Sequence, residues 1–286
     1  MKQNSAGNLP DMSTRTIAFI GGGNMAGSLI GGLVADGYNA TKIYASDTDS
    51  EKLASLSARF GIRSASDNLD AVKRSDVVVL AVKPQAMERV ARDLADAIQY
   101  SRPLVISIAA GVREAHLRKW LGSDVALIRT MPNTPAMLQA GATVLHAGAG
   151  VSEQQKSIAE TILRSVGLTC WVKEEALMDA VTALSGSGPA YFFLVMEAIE
   201  RAGTELGLPP DIARLLTLQT ALGAARMAME SSEGPATLRN YVTSPGGTTE
   251  SALKRLEASG IREIFAQALR DAKERSEEIS SMLGNT

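Results

Sequence analysis

Thr16-Ile17-Ala18-Phe19-Ile20-Gly21-Gly22-Gly23-Asn24-Met25-Ala26 is the stretch whose reading decides the fold. A short apolar run with β-branched and aromatic residues suits a buried strand, and the glycines end it in a tight turn. Met25 to Val34 follows as an apolar-rich stretch with the character of a helix. Gly21, Gly23 and Ala26 fit G-x-G-x-x-G/A, where small residues let backbone N–H groups approach a pyrophosphate at a helix N-terminus. Ala26 in the third slot still permits close helix–strand packing. Glycine clusters also make ordinary turns, so the motif takes its weight from lying between a strand and a helix.

Further strands are expected downstream. Lys42 to Ser46 reads as the second, ending at Asp47, which lies 21 residues beyond Ala26 (47 − 26). That is close to the spacing of about 20 residues at which an acid binds the ribose hydroxyls of a dinucleotide. Such a carboxylate repels a 2′-phosphate. Asp47-Thr48-Asp49-Ser50 equally suits a turn and N-cap for the next helix. Gly61 to Arg63 is a candidate short strand, with Asp67-Asn68 in a loop after it. Asp76 to Val82 has the clearest parallel-strand character, and Pro84 behind it suits the first turn of a helix running toward Ile98. Leu104 to Ile108, Val125 to Arg129, Ala142 to Leu145 and Leu168 to Val172 complete the set. Strands alternating with helical segments predict a Rossmann-type, doubly wound, mostly parallel sheet over residues 14–172. The loops after Ile20, Ser46, Val82 and Ile108 should then face one crevice at the carboxyl ends of the strands.

Composition narrows the classes of function. The 286 residues are 45% hydrophobic, enough for a sizeable core and two domains. A net charge of −2 offers no basic footprint for nucleic acid or an anionic membrane. No apolar run approaches the roughly 20 residues of a membrane span. Met1 to Ser13 is polar, unlike a secretory signal, and reads as a loose leader. Cys170, the one cysteine, excludes an intrachain disulfide and sits in the apolar run Leu168 to Val172, where a packed strand residue is expected rather than a nucleophile. The two histidines, His116 and His146, lack partners at metal-ligand spacing. The expectation is a reduced, cytoplasmic protein with no metal site.

After Val172 the strand pattern stops, and residues 173–286 read as an all-α domain. Leu184-Ser185-Gly186-Ser187-Gly188-Pro189 looks like a break. Ala190 to Met196 is apolar on every side, as in a buried helix, and in so small a domain it is expected to meet another subunit. The helix begun by Pro209-Pro210-Asp211 carries Ile212, Leu215, Leu216, Leu222 and Met229 near helical spacing, which reads as helix core. Gly223 and many alanines there suit close helix–helix approach. Thr243 to Glu250 is a second break, followed by a charged helix from Ala252 to Leu283. Its hydroxyls and glycines suit an anion-binding nest. A plain turn capped by Thr248 or Thr249 is the competing reading.

Taken together the motifs closely resemble the pyrroline-5-carboxylate reductase family from about Thr16 onward. The matching stretches are Phe19 to Ala26, Ala81-Val82-Lys83-Pro84, Ser107 to Gly111 and Met131-Pro132-Asn133-Thr134-Pro135. The most specific are Leu184 to Tyr191 and Thr243 to Thr249. The resemblance implies reduction of L-1-pyrroline-5-carboxylate to L-proline with NADPH or NADH, the last step of proline synthesis. It places Ile20, Gly21, Gly22, Gly23, Asn24 and Met25 at the pyrophosphate and Asn68 on the adenosine side. Ala81, Val82, Lys83 and Pro84, with Ser107, Ile108, Ala109 and Ala110, would line the nicotinamide half. Substrate positions carried over are Glu175, Ser244, Gly247, Thr248 and Thr249, with Thr249 as the catalytic hydroxyl at the ring nitrogen. The family also implies a homodimer through the helical domain, and it contains rings of dimers. Two positions depart from the vertebrate pattern: Asp47 replaces a serine that can receive a 2′-phosphate, and Tyr241 replaces a cofactor-touching asparagine.

A protonated cyclic imine is already electrophilic, so a site without a histidine or lysine dyad suits this chemistry. A hydroxyacid dehydrogenase of the same plan would need a lysine and asparagine pair, which has no counterpart around Ala183 to Tyr191. A nucleotide-binding redox sensor without turnover would have no use for the 243–249 loop.

Overall fold

A computed structural model describes residue 12 and residues 14–284. The leader expected over residues 1–13 therefore lies outside the described residues except for Met12, which packs against the core. In chain order the first elements are β1 (Ile17–Ile20), α1 (Asn24–Ala35), β2 (Ile43–Ser46), α2 (Ser50–Phe60), β3 (Arg63–Ser64), α3 (Asn68–Lys73), β4 (Val77–Leu80) and α4 (Pro84–Ser101). They are followed by β5 (Leu104–Ser107), α5 (Glu114–Leu121), β6 (Ala126–Met131), β7 (Gly141–Ala147), α6 (Glu153–Arg164) and β8 (Gly167–Trp171). The remainder is helical: α7 (Leu177–Val181), α8 (Gly188–Glu205), α9 (Pro210–Glu230), α10 (Pro235–Tyr241), α11 (Thr248–Ala258) and α12 (Ile261–Gly284).

The eight strands form one sheet in the order β3-β2-β1-β4-β5-β6-β7-β8. The first six are parallel; β7 runs antiparallel to β6, and β8 parallel to β7. Side chains alternate along each strand, and both faces are covered. Ile17 and Phe19 pack with Leu29 and Ile30 of α1 and Ile162 of α6. Ala18 and Ile20 face the other way, toward Met87 and Leu94 of α4 and Leu117 of α5. Burial of each such side chain contributes about 1.5–3 kcal/mol. Helix α4 shows how local sequence delivers this: Pro84 starts it, and Met87, Val90, Ala91, Leu94 and Ile98 recur at helical spacing on its buried side.

The described residues divide into two compact units, one up to residue 187 together with 272–284, the other 188–271. The break expected at Leu184 to Pro189 holds the boundary between the units at Ser187 and is entered through a π-helical turn over Thr182–Gly186, where the Ser187 amide reaches the Thr182 carbonyl at 2.9 Å. A glycine- and serine-rich segment there widens the helix by one residue rather than ending it. The single helix expected from Ala252 to Leu283 is two, parted at Gly260, whose φ of +75° suits glycine.

Two expectations of burial fail within one chain. In the second unit only Gly188, Ala213 and Thr217 are buried among the described residues. The α9 positions Leu215, Leu216, Leu222 and Met229 that read as core are exposed, while the open α8 face, with Phe192, Phe193 and Leu194 exposed, is what a helix meeting another subunit requires. Nothing lies within 4 Å of where a Gly223 side chain would begin, so that glycine closes no helix contact in the chain. Cys170 is likewise exposed, because β8 has a sheet neighbour on one side only and turns Leu168 and Cys170 to its open face. Among the described residues no helix is long and apolar enough to cross a membrane.

Candidate active site

The order of chain along the sheet reverses between β1 and β4, and the glycine loop sits at that switch point. Gly21 has φ +102°, and a Cβ there would meet the Ala81 carbonyl oxygen at 2.8 Å. Only glycine lets the loops after β1 and β4 lie this close. The Gly21 amide donates to the Ser46 carbonyl and the Ala81 amide to the Ile20 carbonyl, each at 2.8 Å. Ile20, Ser46, Leu80 and Ser107 are register partners across neighbouring strands, so the four loops start from one level.

Asp47 follows directly. Its Oδ2 accepts from the Gly22 amide at 2.6 Å and its Oδ1 from the Asp49 amide at 2.9 Å. It does not cap α2: Asp49 does, accepting from Glu51 and Lys52. The segment Asp47 to Ser50 is thus both a turn and an N-cap, with Asp49 in the capping position and Asp47 turned to the glycine loop. The carboxylate is half-buried, with lone pairs left over on both oxygens. Asn68 is the first residue of α3, behind an Asp67 N-cap rather than in a loop, and its Oδ1 accepts from Ser46 Oγ at 2.7 Å.

These residues fit a dinucleotide. Helix α1 has no side-chain cap, so the amides of its first turn remain available, and the Gly23 Cβ position is empty to 4 Å. That is an anion cradle of backbone N–H groups at a positive helix end. A cleft of about 560 Å³ takes in Gly22, Gly23 and Asn24 and runs along α1 past Lys52 and Arg59. It does not reach Ala81 to Pro84 or Ser107 to Ala110, which line the adjoining loops instead.

Glu175 lies in the first unit, just before α7. Its Oε1 accepts from the Glu114 amide at 2.5 Å, at the start of α5, and is paired with Arg129 Nη1. Burial pushes this carboxyl up, but the Glu114 amide, the Arg129 guanidinium and nearby His146 outweigh it and hold it below its ordinary range. His116 moves down, chiefly through burial and then through Arg113. Arg129 was not singled out by sequence reasoning, because an arginine inside an apolar strand carries no motif. Asn133, inside the Met131 to Pro135 motif but given no role from sequence, accepts from the Ala142 amide at 2.8 Å and donates to Ser185 at 3.3 Å, tying the loop after β6 to the π-turn.

Ser244, Gly247, Thr248 and Thr249 lie in the second unit. Gly247, not Thr248 or Thr249, is the N-cap of α11, and no side chain caps the helix. Gly246 has φ +71° and its amide donates to Glu250 Oε2 at 2.8 Å, folding the loop over the helix start. The Gly247 amide closes back on the Ser244 carbonyl at 3.0 Å. Thr248 and Thr249 therefore occupy the first turn with their hydroxyls uncommitted to capping, and Thr249 is half-buried. A helix start of this kind attracts a carboxylate. Among the described residues no group of three or more His, Cys, Asp or Glu side chains could hold a metal ion.

A doubly wound sheet with a glycine cradle at its switch point, joined to an all-helical unit, is the plan of a dinucleotide-binding protein. A family profile described as pyrroline-5-carboxylate reductase dimerisation matches residues 175–279, and one described as NADP oxidoreductase, coenzyme F420-dependent, matches 16–111. The chain is 52% identical over 273 residues to the pyrroline-5-carboxylate reductase of Pseudomonas aeruginosa, covering 96% of this chain and 100% of that one. A pyrroline-5-carboxylate reductase structure from Coxiella burnetii superposes with a TM-score of 0.90 at 47% identity, covering 93% and 99% of the two chains. The Plasmodium falciparum enzyme, crystallised with NADP bound, gives 0.84 at 28% identity over 94% and 99%. The chain belongs to the pyrroline-5-carboxylate reductase family.

Proposed function

We propose that the chain transfers hydride from NADH or NADPH to the C=N carbon of L-1-pyrroline-5-carboxylate, giving L-proline. Identity of 52% to a reductase of that name over almost the full length carries this reading. When bound, the reduced nicotinamide supplies the hydride. The protein's own residues bind and orient. The first-turn amides of α1 hold the pyrophosphate, Asp47 and Asn68 face the adenosine half, and Ala81 to Pro84 with Ser107 to Ala110 line the nicotinamide half. The uncapped start of α11 grips the substrate carboxylate through Thr248 and Thr249 amides, with Ser244 and Gly247 shaping the loop. The Thr249 hydroxyl meets the ring nitrogen, and Glu175 completes the substrate contacts. The imine arrives protonated, accepts hydride at carbon, and leaves as the secondary amine, so no side chain must deliver a strong acid.

The open apolar faces of α8 and α9 support a homodimer, and a ring of such dimers is the larger assembly the family resemblance implies. A cytoplasmic location follows from the biosynthetic role. An assay with pyrroline-5-carboxylate and NADH or NADPH, following cofactor oxidation and proline formation together, tests the reading. Stoichiometric proline is expected; cofactor binding without proline would return the chain to the sensor class.

A further inference from the structure

Glu175 is held asymmetrically. Two donors, the Glu114 amide and Arg129 Nη1, converge on Oε1, while Oε2 has no hydrogen-bond partner among the described residues. An arginine–carboxylate pair built for stability alone commonly engages both oxygens in a fork. Arg129 is itself 6% exposed, and its Cα is the register partner of Ser107 on one side and His146 on the other. It thus stands next in the sheet to the strand end that leads into Ser107 to Ala110. A buried guanidinium is tolerated only where its charge is matched, and Glu175 supplies the matching charge.

We propose that Arg129 is a positioning residue of the reaction: with the first amide of α5 it pins Oε1 of Glu175, leaving Oε2 to face the cationic ring nitrogen of the substrate. This rests on the reading that Glu175 contacts the substrate. A carboxylate held ionised beside the nitrogen favours the protonated imine, the only form that accepts hydride readily. The charged and titratable groups that act on it are Arg129 on β6, His146 on β7 and His116 on α5, with Glu114 contributing its amide. Glu114 is turned away from this role: Arg118 Nε donates to its Oε1 at 2.6 Å and His146 Nε2 lies 3.6 Å from its Oε2.

The sign of the effect is fixed by the competing contributions at Glu175. Loss of Arg129 leaves burial less opposed, so the carboxyl titrates at higher pH. The experiment compares wild type, Arg129→Met, Arg129→Lys, Glu175→Gln and the Arg129→Met/Glu175→Gln double variant. For each, KM for the imine and kcat are measured across pH, with cofactor Kd and Tm measured separately. Arg129→Met should raise KM about tenfold with cofactor Kd unchanged, and move the acid limb of kcat/KM up by about one pH unit. Arg129→Lys should shift in the same direction by less. The double variant should match Glu175→Gln alone, because the two side chains act as one unit. A wild-type KM and acid limb in Arg129→Met, beside a defective Glu175→Gln, would overturn the proposal. Should Arg129→Met fail to fold, an unshifted Arg129→Lys overturns it equally. A Glu175→Gln enzyme with wild-type constants would instead overturn the substrate contact on which the proposal rests.

Discussion

Single residues carry two choices, of cofactor and of chemistry. Asp47 holds the glycine loop through the Gly22 amide and still presents acceptor sites suited to ribose hydroxyls. A carboxylate there repels a 2′-phosphate, so NADH should serve at least as well as NADPH, even though a Plasmodium relative carries NADP. Asp47→Ser should move the kcat/KM ratio toward NADPH by about tenfold, while lowering both values because Gly22 loses its acceptor. A strong NADPH preference in wild type would count against the idea. Thr249 is the cleaner test of chemistry, because Gly247 occupies the capping position and Thr249 is free of it. Thr249→Val should therefore cost about 10²–10³ in kcat/KM, the scale of one positioned donor, with Tm almost unchanged. An active variant with a clearly lowered Tm would mean that the hydroxyl serves the helix start instead.

At the scale of elements, the loop after β1 depends on one backbone conformation. Gly21→Ala places a Cβ at φ +102° and 2.8 Å from the Ala81 carbonyl. The strain should lower stability by about 1–3 kcal/mol and weaken cofactor binding, read by Tm and by NADH titration; unchanged values would show that the two loops can part without loss. This loop, its strand and the parallel sheet were legible in the sequence because they rest on local signals: β-branched runs, glycines, and Pro84 at a helix start. The helical half was less so. Leu184 to Pro189 contains every residue type of a turn, yet the chain stays helical by widening to a π-turn pinned by Asn133 from another loop. Helix α10 went unseen because its seven residues carry no buried stripe. The bond from the Gly22 amide to Asp47, and the pairing of Arg129 with Glu175, are set by approaches across the sheet that no local pattern records.

At the scale of the molecule, the first unit has a core on both faces of its sheet, and the second has almost none. Phe192, Phe193 and Leu194 on α8, and Leu215, Leu216 and Leu222 on α9, are exposed in one chain. Burying such surface is worth roughly 25 cal/mol per Å², so these helices are expected to be covered by a second copy, consistent with the dimerisation profile over 175–279. The proposed site residues are themselves divided, with the cofactor loops and Glu175 in the first unit and Ser244 to Thr249 in the second. If the loop of one chain serves the cofactor of its partner, two separately inactive variants should restore one another. Gly23→Glu fills the open Cβ position at the cradle with a negative side chain, and Thr249→Val disables the loop. In a mixed heterodimer both lesions would fall in one site and the other site would be intact. Unfolding and refolding the two together should then return activity in proportion to the heterodimer formed, up to about half the wild-type value per dimer. Confirmed heterodimers without activity would show that each site is built from one chain, and a catalytically competent monomer would remove the need for the dimer altogether.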